Sequence, residues 1–393
     1  MPASPSPTGP LRGITVLDLS TVGPAARCTR LLADYGAMVV KVGPVPSADA
    51  TPIEPSFFAY SGHRGMRRIL VDLKDEEGRA AFLALATSAD VVVESFRPGV
   101  VDRLGIGYQA VTARNPGIVY CSTSGYGQEG PHAQWAGHDL NYLAVGGFLA
   151  MSTPGADGGP PLPGATIADA AAGGMQAALA IIAALAGRTA TGQGVFLDVS
   201  VADGVLWLMS LPIDEHLALG NAPEPGHDVL SGRYACYGTY RAGDGKWLAV
   251  GAIEAKFFAN LCRAVGCPDL IPAQLDPDAQ PALRAALSAA FATRDRDEWV
   301  ELLGGADTCV TAVLAVAEIA ADPQFGARGV VREVVHPTEG AMAQLGPLLA
   351  GMDRAVGAAP LPDMDRTDTE HLLKVAGVDG GTIARWVSRR VVA

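Results

Sequence analysis

The chain predicts an α/β protein: an open, mostly parallel sheet with a second, smaller α+β domain. Three observations predict it. Strand-length apolar runs alternate with helix-length segments over about 120 residues, with short connections, as parallel strands joined by right-handed crossovers require. The segment 211–232, carrying Pro212, Pro223 and Pro225, reads as a linker. Beyond it, residues 238–251 read as a hairpin with an Ala-Gly-Asp-Gly turn, and the alternation stops.

In order, the sequence predicts strands at 13–19, 37–42, 69–73, 90–94, 118–122 and 194–200. Helices are predicted at 24–35, 76–88 and 139–151, with a long Ala-rich helix over 170–187. The loops 125–131 and 153–163 are dense in Gly and Pro. The second domain continues with helices at 255–265, 281–292 and 296–303. A Pro/Gly-rich return over 323–363 leads to a C-terminal helix pair, and residues 1–10 read as a mobile tail. The expected division is therefore 11–210, linker 211–232, 233–322, and a return over 323–393.

Composition narrows the function. The 393 residues hold 29 Lys+Arg against 41 Asp+Glu, a net charge of -12 that disfavours nucleic acid as partner. Six cysteines are too sparse for a disulfide framework, and Cys262 and Cys267 have no matching second pair for zinc, so no metal is expected. The first βα turn, 20–24, has one glycine where a dinucleotide fingerprint needs three. The run 170–187 is apolar except for Gln176, but it is Ala- and Gly-rich, and a buried core helix is expected rather than a membrane span. With no signal-peptide layout, a cytoplasmic protein is expected.

Basic residues are scarce, so their placement is informative. Arg64, Arg67, Arg68, Lys74, Arg79, Arg97 and Arg103 fall within 40 residues. Lys74 and Arg97 directly follow predicted strands, where ligands of open parallel sheets bind. A local group of this kind suits a phosphorylated ligand, and equally suits ordinary solvated charge. His138 stands where a loop enters a helix, either as a cap or as a base kept neutral by the helix dipole. Asp169 opens the Ala-rich helix among small apolar residues, as a cap or as a carboxyl of raised pKa. Glu254 follows a strand and starts a helix. Taken alone, these residues suggest acid/base chemistry on an anionic conjugate without fixing a reaction.

Eight segments, 11–19, 33–37, 71–74, 96–99, 103–105, 125–128, 137–139 and 249–254, together resemble the class III coenzyme A transferase superfamily. Within it, Gly137-His138-Asp139 and Ala252-Ile253-Glu254 most resemble the α-methylacyl-CoA racemases. The resemblance implies a Rossmann-like large domain built from both chain ends, a small domain, and two chains interlocked as a homodimer. It implies an acyl-CoA substrate and no cofactor beyond its CoA moiety. Val71, Asp72, Leu73, Lys74, Ser95, Phe96, Arg97 and Arg103 would hold the CoA. Lys41 would join them, at a position where racemases often have Arg. Gly137, Asp139, Leu140, Asn141 and Tyr142 would line the thioester. His138 and Asp169 would be the two proton-transfer groups, with Glu254 orienting or charging His138. Asp169 also matches the nucleophile of the transferases, so CoA transfer stands as the alternative. The glycine run that covers the transferase site is not clearly reproduced over 221–235, and residues beyond about 335 match poorly.

Overall fold

Six short apolar runs form one parallel sheet. They are β1 (Thr15–Asp18), β2 (Met38–Gly43), β3 (Met66–Leu70), β4 (Val91–Glu94), β5 (Val119–Ser124) and β6 (Val195–Ser200). Their spatial order is β3-β2-β1-β4-β5-β6. The direction of the crossovers reverses between β1 and β4, and ligands of such sheets bind outside the carboxyl ends of those strands. The computed structural model describes residues 9–46, 55–155, 157–226, 228–352, 354 and 358–393. Most of the predicted tail lies outside the described residues.

Helices cover both sheet faces. On one, α1 (Gly23–Asp34) and the later α4 (Gln176–Thr191) bury Cys28, Leu32, Ala177, Ile181 and Leu185 against Val16, Val39, Val93 and Val119. On the other, α2 (Glu76–Ser88) packs Phe82 and Leu85 with Leu372, Leu373, Ile383 and Trp386 of the C-terminal helix pair. Asp75 caps α2 through the Glu77 N–H, with Glu76 and Glu77 in its first turn. The helical run Ala168–Thr191 has the length and hydropathy of a membrane span. Its Ala177/Ile181/Leu185 face is nevertheless packed into the sheet core.

Three expectations are corrected. The third strand lies at Met66–Leu70, not 69–73. Asp72 turns the chain away by accepting the Lys74 N–H, while Val71 bridges Val392 and Leu70 pairs with Ala393. Part of the supposed linker is helical, over Ser210–Leu219. Pro212 falls in its first turn, where the missing N–H breaks no bond. The helix expected at 139–151 splits into α3 (Asp139–Val145) and Phe148–Met151, because Gly147 adopts a φ of 82°.

The chain divides into two compact units. One comprises Met1–Gly147, Pro163–Leu211 and Pro323–Ala393; the other comprises Phe148–Leu162 and Pro212–Asp322. In the second unit the antiparallel sheet β7 (Tyr237–Arg241), β8 (Trp247–Gly251) and β9 (Val310–Ala312) packs on a core of Phe258, Leu283, Phe291 and Trp299.

Before α4 the chain makes a π-helical turn, Ala168–Met175. A Cβ at Gly173 would lie 2.5 Å from Pro24 Cβ, and one at Gly174 2.8 Å from Arg27 Cβ, so α1 sits directly on this turn. The next helix, α5 (Val201–Leu208), approaches as closely: a Cβ at Gly204 would lie 2.1 Å from the Ala172 carbonyl oxygen. Gly204→Ala should therefore push α5 off the π turn. A loss of about 1–3 kcal/mol in urea-unfolding stability is expected, the usual scale for overpacking, and an unchanged midpoint would show that the turn yields freely.

Candidate active site

The carboxyl ends of β1, β4 and β5 carry the site. The loop after β4, Ser95 to Pro98, and the loop after β5, Ser124 and Gly125, face Gly137, His138, Asn141 and Tyr142 around a cavity of about 400 Å³. Seven of the residues named from the sequence thus converge here: Ser95, Phe96, Arg97, Gly137, His138, Asn141 and Tyr142.

His138 is the N-cap residue of α3, extended at φ -130°. Asn141 Oδ1 accepts its backbone N–H at 3.0 Å, and no cap bond engages the imidazole, which is exposed. Tyr142 is buried and donates its hydroxyl to the Gly137 carbonyl at 2.7 Å. A Cβ at Gly125 or Gly137 would strike its ring, at 2.4 and 2.8 Å. Burial, then Asp169, pushes the Tyr142 phenol up to about 12, so it stays neutral. Leu140 is exposed on the same helix.

Asp169 lies in the π turn. Its N–H donates to Asp139 Oδ1 at 2.8 Å, which fastens the turn to the first turn of α3 and brings Asp169 into the neighbourhood of His138. Burial, then the Asp139 carboxylate, raises the Asp169 carboxyl; Arg27 and His138 pull it the other way. A Cβ at Gly23, where α1 begins, would lie 3.9 Å from Asp169 Oδ2. The carboxyl therefore stands at the positive end of the α1 dipole. Tyr60 accepts the Gly23 N–H at 3.3 Å from a turn whose residues Tyr60 to His63 all have positive φ, and Arg27 stacks on its ring. Neither Tyr60 nor Arg27 was a sequence candidate, and a left-handed turn of this kind has no local signature beyond Gly62.

The remaining candidates spread outward. Lys41 is buried: its Nζ donates to Asp18 Oδ2 at 2.8 Å and to the Ser20 carbonyl at 2.5 Å. It borders a smaller cavity of about 200 Å³ with His63 and Arg68. Burial, then Lys41, pushes His63 down to about 4, leaving it neutral. Val71 is buried in the core, Leu73 packs against that core, and Asp72 holds the turn. Lys74, Arg97 and Arg103 are exposed. Glu254 belongs to the second unit, where it is the exposed N-cap residue of Ala255–Ala264 and lies near Cys309. Among the described residues no group of three or more His, Cys, Asp or Glu side chains is placed to hold a metal ion.

Comparison with known proteins gives the family. Residues 11–366 match the model of CoA-transferase family III. The chain is 38% identical over 312 residues to an alpha-methylacyl-CoA racemase of Homo sapiens, covering 79% of each. It is 33% identical to an acetyl-CoA:oxalate CoA-transferase of Acetobacter aceti, covering 83% of this chain and 86% of that one. A solved CAIB/BAIF family protein of Brucella suis superimposes with a TM-score of 0.75 at 28% identity, covering 94% of this chain and all of that one. On the family match and these identities, the chain is an enzyme of CoA-transferase family III.

Proposed function

We propose that the protein racemises C2 of 2-methylacyl-CoA thioesters by proton transfer alone. One observation carries the reading: the Asp139–Asp169 link holds a half-buried carboxyl of raised pKa in the neighbourhood of an uncapped, exposed imidazole. Racemisation needs a base on one face of a planar intermediate and an acid on the other. Neutral His138 takes the α-proton from one epimer, leaving the electron pair on the enolate. Asp169, protonated, delivers its proton to the opposite face, and the roles reverse for the other epimer. Burial beside Asp139 moves Asp169 toward holding that proton. N–H groups at the start of α1 and α3 supply the field that stabilises the enolate oxygen, typically a few kcal/mol per donor. The Ser95–Arg97 loop, with Arg103 and Lys74, would hold the CoA, and an orienting role for Glu254 is part of the same proposal.

Two interlocked copies form the working unit in this reading. Leu179 and Trp207, 70% and 76% exposed, are large apolar groups of the first unit left uncovered in the single chain. Light scattering should give twice the chain mass; a monomer at micromolar concentration would remove the dimer from the proposal.

CoA transfer is the second reading, favoured by the similarity to the Acetobacter aceti transferase and by the Asp169 carboxyl standing free of any capping role. There Asp169 attacks the thioester, CoA leaves, and an Asp169-linked anhydride forms.

Incubation with (S)- and (R)-2-methylacyl-CoA in D₂O should add one deuterium with loss of chirality. His138→Ala and Asp169→Ala should each slow this about 10²–10⁴-fold, the usual range for acid/base groups. Hydroxylamine-sensitive labelling of Asp169 under turnover, without deuterium uptake, would replace this reading with CoA transfer. Stability gives an independent check. A raised carboxyl pKa favours the fold at low pH, and that contribution is lost as pH rises through the folded value. Asp169→Asn should therefore melt no lower than wild type at pH 7, with any gain vanishing near pH 3; a lower Tm at pH 7 would contradict the raised pKa.

A further inference from the structure

Glu94 ends β4, next to Ser95, which lines the cavity, and it is 1% exposed. Two donors converge on its carboxyl. Oε2 accepts the Phe96 N–H at 2.7 Å, and Oε1 accepts the Ser122 hydroxyl. Ser122 Oγ in turn accepts from Gln128 Nε2 at 2.9 Å, and the Gln128 N–H donates to Asp198 Oδ2 on β6 at 3.0 Å. Thr123 adds a bond to the Glu94 carbonyl at 3.1 Å. One relay thus joins the ends of β4, β5 and β6. It fixes both cavity walls, the Ser95–Pro98 loop through Phe96 and the Ser124–Gly125 loop through Ser122 and Gln128. Ser124 lines that cavity with its Oγ buried and without a hydrogen-bond partner among the described residues.

We propose that Glu94 is a positioning residue for the CoA-contacting loop, acting through the Phe96 N–H and the Ser122–Gln128 relay to hold both cavity walls. The proposal rests on the reading that Ser95–Arg97 contacts CoA. The chemistry asks for a carboxylate. Its two oxygens accept from both donors, whereas an amide would turn its NH₂ toward one of them, and a methyl would meet neither. Among the described residues no basic side chain is paired with it: burial pushes the Glu94 carboxyl up to about 7 against the pull of the Ser122 and Phe96 hydrogen bonds, and Asp102 adds to the rise. Tyr120 and Cys121 on β5 also bear on it, and both stay protonated, their own pKa values raised chiefly by burial and then by Glu94. An ionised Glu94 therefore destabilises the fold above about pH 7, since a raised carboxyl pKa gives stability that is lost as pH rises through it.

The test measures CoA affinity by calorimetry, KM and kcat for an acyl-CoA, and Tm at pH 8, in wild type, Glu94→Gln, Glu94→Ala and Arg97→Ala. Glu94→Ala should raise the CoA dissociation constant and KM about tenfold or more, the scale of a loop displaced by a fraction of an ångström, with a smaller change in kcat at saturation. Glu94→Gln should recover part of that affinity while melting at or above the wild-type temperature at pH 8. Weakened binding without loss of stability in the Gln variant supports the positioning role. Loss of affinity that only follows loss of Tm overturns it. So does wild-type affinity in both Glu94 variants while Arg97→Ala binds weakly. Unchanged affinity in Arg97→Ala overturns the proposal together with the loop reading beneath it.

Discussion

The close approach of α1 to the π turn Ala168–Met175 is the constraint on which the site depends. Gly173 and Gly174 leave room for Pro24 and the stem of Arg27, and Gly204 lets α5 press on the turn from another side. With both contacts made, Asp169 has one place to go, over the start of α1. The π turn is a widened helix, rare because it packs its own backbone poorly. Here its neighbours supply the packing, and the wider turn presents the Asp169 N–H to Asp139. The same contact sets the dipole of α1 toward the carboxyl. Loosening it would move the acid, its electrostatic surroundings and its tie to α3 together.

Acidic groups at strand ends organise the loops around this centre, in two styles. Asp18, at the end of β1, is fully buried and is met by Lys41, Thr29 and Ser20. Such a buried pair is stable chiefly because its partners are complete, and removing one would strand the other. Glu94, at the end of β4, has hydrogen bonds but no counter-charge among the described residues. The first style fixes the neighbouring strands β1 and β2 as a rigid pair. The second holds a loop with bonds whose strength changes with a proton.

Much of this was legible in the sequence. Apolar runs bounded by turns marked β1, β2, β4, β5 and β6, because buried parallel strands have no polar face to confuse the pattern. His138 and Asp169 stood out as polar residues at helix starts, and the structure puts both there. The missed features share a cause: they depend on residues distant in sequence. β3 ends early because Val392 and Ala393 come to pair with residues 70 and 71. The ion pair of Lys41 with Asp18, set by the β1–β2 register, was likewise not visible from either segment alone. Glu94 could have been noticed as an acid closing the apolar run 91–93, yet nothing local says that Ser122 and Phe96 would meet it.

The pairing of residues 391–393 with the segment 70–72 bears on how the chain is made. Residues 369–393 supply Leu372, Leu373, Ile383 and Trp386 to a core whose other half, Phe82 and Val92 among it, is synthesised some 280 residues earlier. Until residues 369–393 leave the ribosome, that sheet face is covered only in part, by α2, and residues 70–72 lack their pairing with 391–393. The second unit, apart from its short first segment, is continuous from 212 to 322 and buries its own core, so it can fold first. The nascent large unit therefore waits with exposed apolar surface through the whole translation of its insert. Demand for a chaperone should be greatest in that interval, and slower translation over residues 212–368 would lengthen it.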